Sequence, residues 1–224
     1  NLTTLGESST AGDKSLTATQ TDGSGNVGTS TAFTLTVDTT APTAATVAAI
    51  GDTDKTSAEA TNAGGVITVN AATGDTATVT LTGQSGTVTK TVSGNDSTQV
   101  VALDSADLTM LGDGAVTIST VTTDAAGNAA TADTTGGFTL DTAAPDALTV
   151  ALTEDTATAA DNISSNGAVT VTGSESGATV EYSTDGGSTW GSSFTASVGG
   201  NNVTVRQTDT AGNTSATTNL IFTL

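Results

Sequence analysis

A six-residue block occurs three times along the chain: Thr21-Asp22-Gly23-Ser24-Gly25-Asn26, Thr123-Asp124-Ala125-Ala126-Gly127-Asn128 and Thr208-Asp209-Thr210-Ala211-Gly212-Asn213. Each copy ends a β-patterned run, and each is followed by a second run closing on Phe-Thr-Leu. Twice that run continues into an Asp-Thr-x-Ala-Pro junction, at residues 38–42 and 141–145. The repeated aspartates, Asp22, Asp124 and Asp209, stand 102 and 85 residues apart, the length of a small β-sandwich domain. A chain with such a period is a tandem array, and arrays of this kind serve as spacers or binding stalks.

The period divides the 224 residues into 1–41, 42–142 and 143–224. Asn1-Leu2-Thr3-Thr4-Leu5-Gly6 aligns with Asp107-Leu108-Thr109-Met110-Leu111-Gly112, so residues 1–41 are expected to hold the last two strands of a domain, at 14–22 and 31–38. A two-stranded hairpin is marginal in water. That segment is therefore expected to be cut from a longer polypeptide or completed by strands of another chain. Residues 42–142 read as a whole domain, with strands expected at 45–50, 65–70, 76–81, 87–92, 98–103, 115–122 and 137–140 and a helix-like turn at 105–111. Residues 143–224 repeat the plan at 148–152, 168–172, 179–183, 193–197, 202–207 and 220–224. Asp185-Gly186-Gly187 supplies turn residues that tolerate positive φ. The expected fold class is all-β: tandem immunoglobulin-like β-sandwich domains.

Composition narrows the chemistry. Hydrophobic residues make up 35% of the chain, with four Phe, one Tyr and one Trp, so cores must be small and aliphatic. Alternation of Val, Leu and Ile with Thr suits pleated, half-buried strands. With no His and no Cys, the usual general base, the thiol nucleophile and most zinc sites are missing, and no enzyme activity is expected. The net charge of −19 repels nucleic acid and anionic lipid. No run approaches the roughly 18 apolar residues of a membrane helix, so direct membrane insertion is not expected.

The run Val169-Thr170-Val171-Thr172-Gly173 through Glu175, Gly177-Ala178 and Glu181-Tyr182-Ser183-Thr184-Asp185-Gly186-Gly187-Ser188-Thr189-Trp190, taken with the junctions and the repeated turns, resembles the bacterial immunoglobulin-like repeats of giant RTX-type surface adhesins. The resemblance implies a secreted protein of the bacterial cell surface. Its repeats would form a calcium-stiffened, non-enzymatic extender between the cell envelope and an adhesive tip, a role tied to cell adhesion and biofilm. Neighbouring repeats of the same polypeptide are the implied partners, with other cell-surface or matrix components beyond them. The middle unit departs from the pattern, carrying Thr80-Leu81-Thr82-Gly83-Gln84 where the Tyr-Ser-Thr-Asp-Gly-Gly segment stands in the last.

Calcium takes six to eight oxygens from carboxylates, carbonyls and water, and sandwich topology says which acids can meet. Loops between strands two and three and between six and seven lie at the end where a domain begins, facing the arriving linker. That groups Asp38, Asp75 and Asp124 at the first junction and Asp141, Glu175 and Asp209 at the second. The competing reading is that the Asp of the repeated block organises its own turn through its side chain. A second tier lies at the opposite ends, with Asp52, Asp54, Asp104 and Asp113 in one unit and Glu154, Asp155 and Asp161 in the other. Those loops face the following linker, and solvated surface charge accounts for them equally well. Two other classes fit the same chain: a filament or surface-assembly subunit completed by strand addition, and a glycan-binding module built around Trp190.

Overall fold

The computed structural model describes residues 12–49, 53–134, 136–156, 158 and 160–224. The aligned block at residues 1–6, and Asp52, lie outside them. The described chain is all-β apart from two short helices. It opens with β1 (Gly12–Leu16), β2 (Thr19–Thr21), β3 (Val27–Thr29) and β4 (Phe33–Val37). β1 pairs antiparallel with β4 from Gly12↔Val37 to Leu16↔Phe33, and β2 pairs with β3. The two strands expected here are one hairpin broken into two ladders. Its limbs stay tied where Ser30 N donates to Ala18 O and Ala18 N donates to Ser30 Oγ.

The apolar side chains of this hairpin face outward, with Phe33 64% and Val27 62% exposed. Phe138 and Phe222, which close the same repeated run, are 5% and 2% exposed. Local opening is cheap where few apolar contacts hold a ladder. Amides of residues 12–37 are therefore expected to exchange hydrogen far faster in a dilute monomer than those of residues 67–69 or 169–172. Equal protection measured by exchange mass spectrometry would show that this face is covered.

The middle unit contains β5 (Thr46–Ala49), β6 (Asp54–Lys55), α1 (Ser57–Ala60), β7 (Ile67–Asn70), β8 (Thr76–Thr82), β9 (Thr87–Ser93), β10 (Gln99–Val101), α2 (Ser105–Leu111), β11 (Gly114–Thr123) and β12 (Gly137–Leu140). One sheet has the order β10-β7-β5 and the other β6-β12-β11-β8-β9. Strict alternation makes each sheet two-faced. In β8, Ala77, Val79 and Leu81 are buried while Thr78 and Thr80 point the other way. The inward sets, among them Ile67, Val69, Val101, Val116, Ile118 and Leu140, fuse into one core between the sheets. That is a β-sandwich.

Helix α2 fills the expected 105–111 stretch, where seven residues make it longer than one turn. Asp104 caps it in a reciprocal box with Asp107 and Gly112 ends it at φ 69°, the left-handed conformation that glycine adopts without penalty. Leu108 and Leu111 turn into the core. β6 and α1 were not among the expected elements. β6 is two residues long and joins β12 in parallel, and α1 is four residues held by a Thr56–Glu59 capping box.

The last unit contains β13 (Thr149–Leu152), β14 (Val169–Thr172), β15 (Thr179–Ser183), β16 (Gly200–Thr208) and β17 (Thr218–Thr223). β13-β14 faces β15-β16-β17 across a second core of Leu148, Val150, Val203, Val205 and Phe222. Gly186 and Gly187 both take positive φ, as their turn requires. The strand expected at 193–197 is absent. Phe194 still reaches the core, edge-on to Phe222 at 6.1 Å, but Asn201 holds Ser197 through its N–H and its carbonyl, so the segment forms a loop instead of a ladder.

Candidate functional site

The repeated block folds the same way in all three copies. In the last, Asp209 Oδ1 accepts the N–H groups of Gly212 (2.7 Å) and Asn213 (2.8 Å), and Oδ2 accepts Asn213 Nδ2 (3.0 Å). Asp124 does the same with Ala126, Asn128 and the Asn128 amide, and Asp22 with Ser24, Asn26 and the Asn26 amide. The side-chain amide and backbone donors favour the charged carboxylate and hold Asp22 and Asp124 below the ordinary carboxyl value. At Asp209 burial is the largest influence and pushes upward, but the Asn213 side chain and three backbone N–H groups together outweigh it, leaving a net lowering. The aspartate is thus a turn organiser, as the competing reading held. Three accepted bonds leave it spare lone pairs.

The asparagine of the block carries the second function, which the sequence did not reveal. Asn213 Nδ2 also donates to the linker carbonyl Asp141 O (3.0 Å), and Asn128 Nδ2 donates to Asp38 O (3.2 Å). Each turn therefore grips the linker that leads into its own unit. Around the second linker more groups converge. Glu175 Oε1 accepts Asp146 N (3.2 Å), and Asp141 Oδ1 accepts Ala143 N (3.1 Å). Gln207 is fully buried: its Nε2 donates to Asp146 O (2.7 Å) and Gly173 O (3.3 Å), and its Oε1 accepts Glu175 N (2.9 Å).

These groups border a cleft of about 230 Å³ lined by Asp141, Pro145, Glu175 and Asp209, together with Ala143, Ala144, Ser176, Ala178 and Thr210. The second expected acid triad therefore shares one cleft. Its donor set is of the hard-oxygen type that calcium takes. The carboxylates do not converge further, since among the described residues no group of three or more acidic side chains lies close enough to hold a metal ion.

The first triad is looser. Asn128 bridges Asp124 Oδ2 to Asp38 O, and Asp38 Oδ1 accepts Thr40 N (2.9 Å). Asp75 sits in the β7–β8 turn, its N–H on Ala72 O and its carbonyl taken by Gly94 N. Among the described residues no hydrogen bond joins the Asp75 carboxylate to the other two. Of the second tier, Asp104 is the α2 cap, while Asp113 Oδ1 accepts both Thr142 N (2.9 Å) and Thr142 Oγ1 (2.8 Å) and so reaches the following linker as expected. Asp155 and Asp161 accept from nearby backbone N–H groups.

Trp190 is occupied on one side. The Arg206 guanidinium lies 4.1 Å over its ring centroid and is itself paired with Glu181 at 2.8 Å, while the indole N–H donates to Gly187 O. Cation–π stacking anchors the ring on the β15–β16 face.

No protein-family model matches the chain, and no curated protein matches it. Among solved structures, it is similar to a tetra-tandem repeat in the extending region of a large adhesion protein. The match has 22% identity and a TM-score of 0.38, covering 95% of this chain and 57% of that one. It is also similar to a structure of a 1.5-MDa bacterial ice-binding adhesin, with 24% identity and a TM-score of 0.36 over 81% of this chain and 65% of that one. A third similarity, at 12% identity and TM-score 0.40, is to the fibronectin(III)-like modules of Clostridium thermocellum CbhA, covering 80% of this chain and 93% of that one. The chain thus spans less than two thirds of each of the two adhesin structures. The sandwich assignment rests on the two cores described above. No helix among the described residues is long and apolar enough to cross a membrane.

Proposed function

We propose that the chain is a non-enzymatic extender of a large extracellular bacterial adhesin, stiffened by calcium where one repeat meets the next. The observation that carries the reading is the shared cleft at the second linker. Acids from three places in the sequence, Asp141, Glu175 and Asp209, line it beside the buried Pro145. Three carboxylates around one cleft repel each other without a cation, weakly where wet and more strongly where water is excluded. An ion entering the cleft would have to draw these three closer together, and would then replace repulsion with a bridge across the linker, whose proline already limits bending. Asp38 and Asp124 would serve the first linker in the same way, with Asp75 as the third acid of that end.

When free calcium exceeds the dissociation constant by about 100-fold, each site adds roughly 2.7 kcal/mol to the docked arrangement. Small-angle scattering is expected to show a straighter rod in millimolar calcium and a broader distance distribution after chelation. Asp141→Ala combined with Asp209→Ala should abolish that difference at the second linker. Identical profiles with and without calcium, on protein first shown to be metal-free, would reject calcium stiffening and leave the acids as solubilising charge.

The exposed Val27, Phe33 and Leu35 favour a second reading, in which strands of a partner cover the N-terminal hairpin. Exchange protection that rises with protein concentration would support it.

A further inference from the structure

The dipeptide Asp141-Thr142 is bonded from opposite sides by groups of two different sandwiches. On the middle sandwich, Lys55 O accepts Asp141 N (2.9 Å), and Asp113 Oδ1 accepts Thr142 N and Thr142 Oγ1. On the last sandwich, Asn213 Nδ2 donates to Asp141 O, while Glu175 and Gln207 hold Asp146 four residues on. One residue therefore offers its N–H to one sandwich and its carbonyl to the other. Rotation of either sandwich on its neighbour has to break bonds on one side. Gly212 also faces the start of α1, where a Cβ added to it would lie 3.7 Å from the Thr56 methyl. Each of these bonds runs directly from one protein group to another.

Among the described residues, the first linker shows only the grip from its own unit. Asn128 grips Asp38 as Asn213 grips Asp141. Counting back from Asp22 and from Asp124, the sequence position that matches Asp113 is Ala11. Alanine has no side-chain acceptor for Thr39.

We infer that Asp113 and Asn213 are positioning residues that clamp Asp141-Thr142 and lock the last sandwich onto the middle one without metal, so that bending concentrates at the first linker. Relative motion is the default for domains joined by a short linker and a small interface, and the clamp removes that freedom at one junction. The inference bears on the stalk reading but is independent of calcium, and its test is run in chelator so that the two can fail separately.

The chain has no cysteine, so paired labels are clean. Spin labels at Thr91→Cys and Asn202→Cys, both exposed, span the second linker, and labels at Thr34→Cys and Thr91→Cys span the first. In EDTA, pulsed dipolar spectroscopy is expected to give a narrow distance distribution across the second linker and a broad one across the first. Asp113→Ala should widen the second distribution about twofold, toward the freedom expected of unclamped domains. Asp113→Asn, which keeps an oxygen acceptor, should restore it. Asn213→Ala should widen it as well, with Trp190 fluorescence confirming that the last sandwich stays folded. Equal widths at the two linkers in EDTA, or an unchanged width in Asp113→Ala, would overturn the clamp. Narrowing of the second linker only on adding calcium would also overturn it, while supporting the ion-stiffened stalk.

Discussion

Gln207→Leu is expected to destabilise the last sandwich by about 2–3 kcal/mol, read as a lower urea midpoint at unchanged slope. Leucine has nearly the same bulk and would gain from burial at a site that is fully enclosed. The loss comes from what it leaves behind: Glu175 N–H, Asp146 O and Gly173 O each lose a partner. Unpaired buried polar groups cost about 1–3 kcal/mol apiece, and partial access to water at the linker reduces the sum. The chain's one tryptophan, Trp190, lies in this sandwich, so its fluorescence reports the transition of this unit alone. A midpoint equal to that of the parent would mean that the linker carbonyls find water as readily as they find Gln207. A small sandwich has little stability to spare, so the effect should be visible as partial unfolding at elevated temperature.

Gln207 also shows where sequence reading stops. Strand positions were legible because Val-Thr and Leu-Thr alternation reports which face is dry: β8, β9 and β12 begin and end within a residue of expectation. Alternation does not report whether a ladder partner exists. Residues 193–197 alternate correctly, with Phe194 and Ala196 turned inward, yet Asn201 captures Ser197 and the strand does not form. β6 and α1 escaped for the opposite reason, being too short to show any period.

At the linkers, topology was enough to place Asp141, Glu175 and Asp209 around one cleft, because which loops share a sandwich end follows from strand order. It could not place Asp75, whose side chain depends on rotamer and turn detail. Asn128 and Asn213 were present in the repeated block but read as turn residues, since their bonds to Asp38 and Asp141 span 90 and 72 residues. The available signal was their strict pairing with an upstream Asp-Thr-x-Ala-Pro linker: both occur once per complete repeat, and the structure joins each to the linker that opens its own unit.

Thr120→Val is expected to stabilise the middle sandwich by about 1 kcal/mol, the reverse of the outcome at Gln207. Both residues lie on inward positions of the long strand that leads into the repeated turn, β11 in one unit and β16 in the other. Counting back from Asp124 and Asp209, Thr122 matches Gln207 and Thr120 matches Val205. Thr122 is satisfied, its hydroxyl accepting Ala45 N at 2.8 Å, as Gln207 is satisfied by the linker. Thr120 is 3% exposed, and among the described residues its hydroxyl has no partner. Its backbone is paired with Asp133 in both directions, so only the side chain is orphaned, and a methyl in place of that hydroxyl keeps the shape that Val205 already fills in the other core. Valine also suits a strand at least as well as threonine. One kcal/mol corresponds to roughly fivefold in the folded-to-unfolded ratio. Amides of Val79 and Ile118, deep in the same core, should therefore exchange about fivefold more slowly when exchange proceeds through global unfolding of this unit. Those of Val203 and Val205 in the other core should not change. Faster exchange at Val79 would show that the Thr120 hydroxyl is satisfied after all, by a buried water that valine would expel.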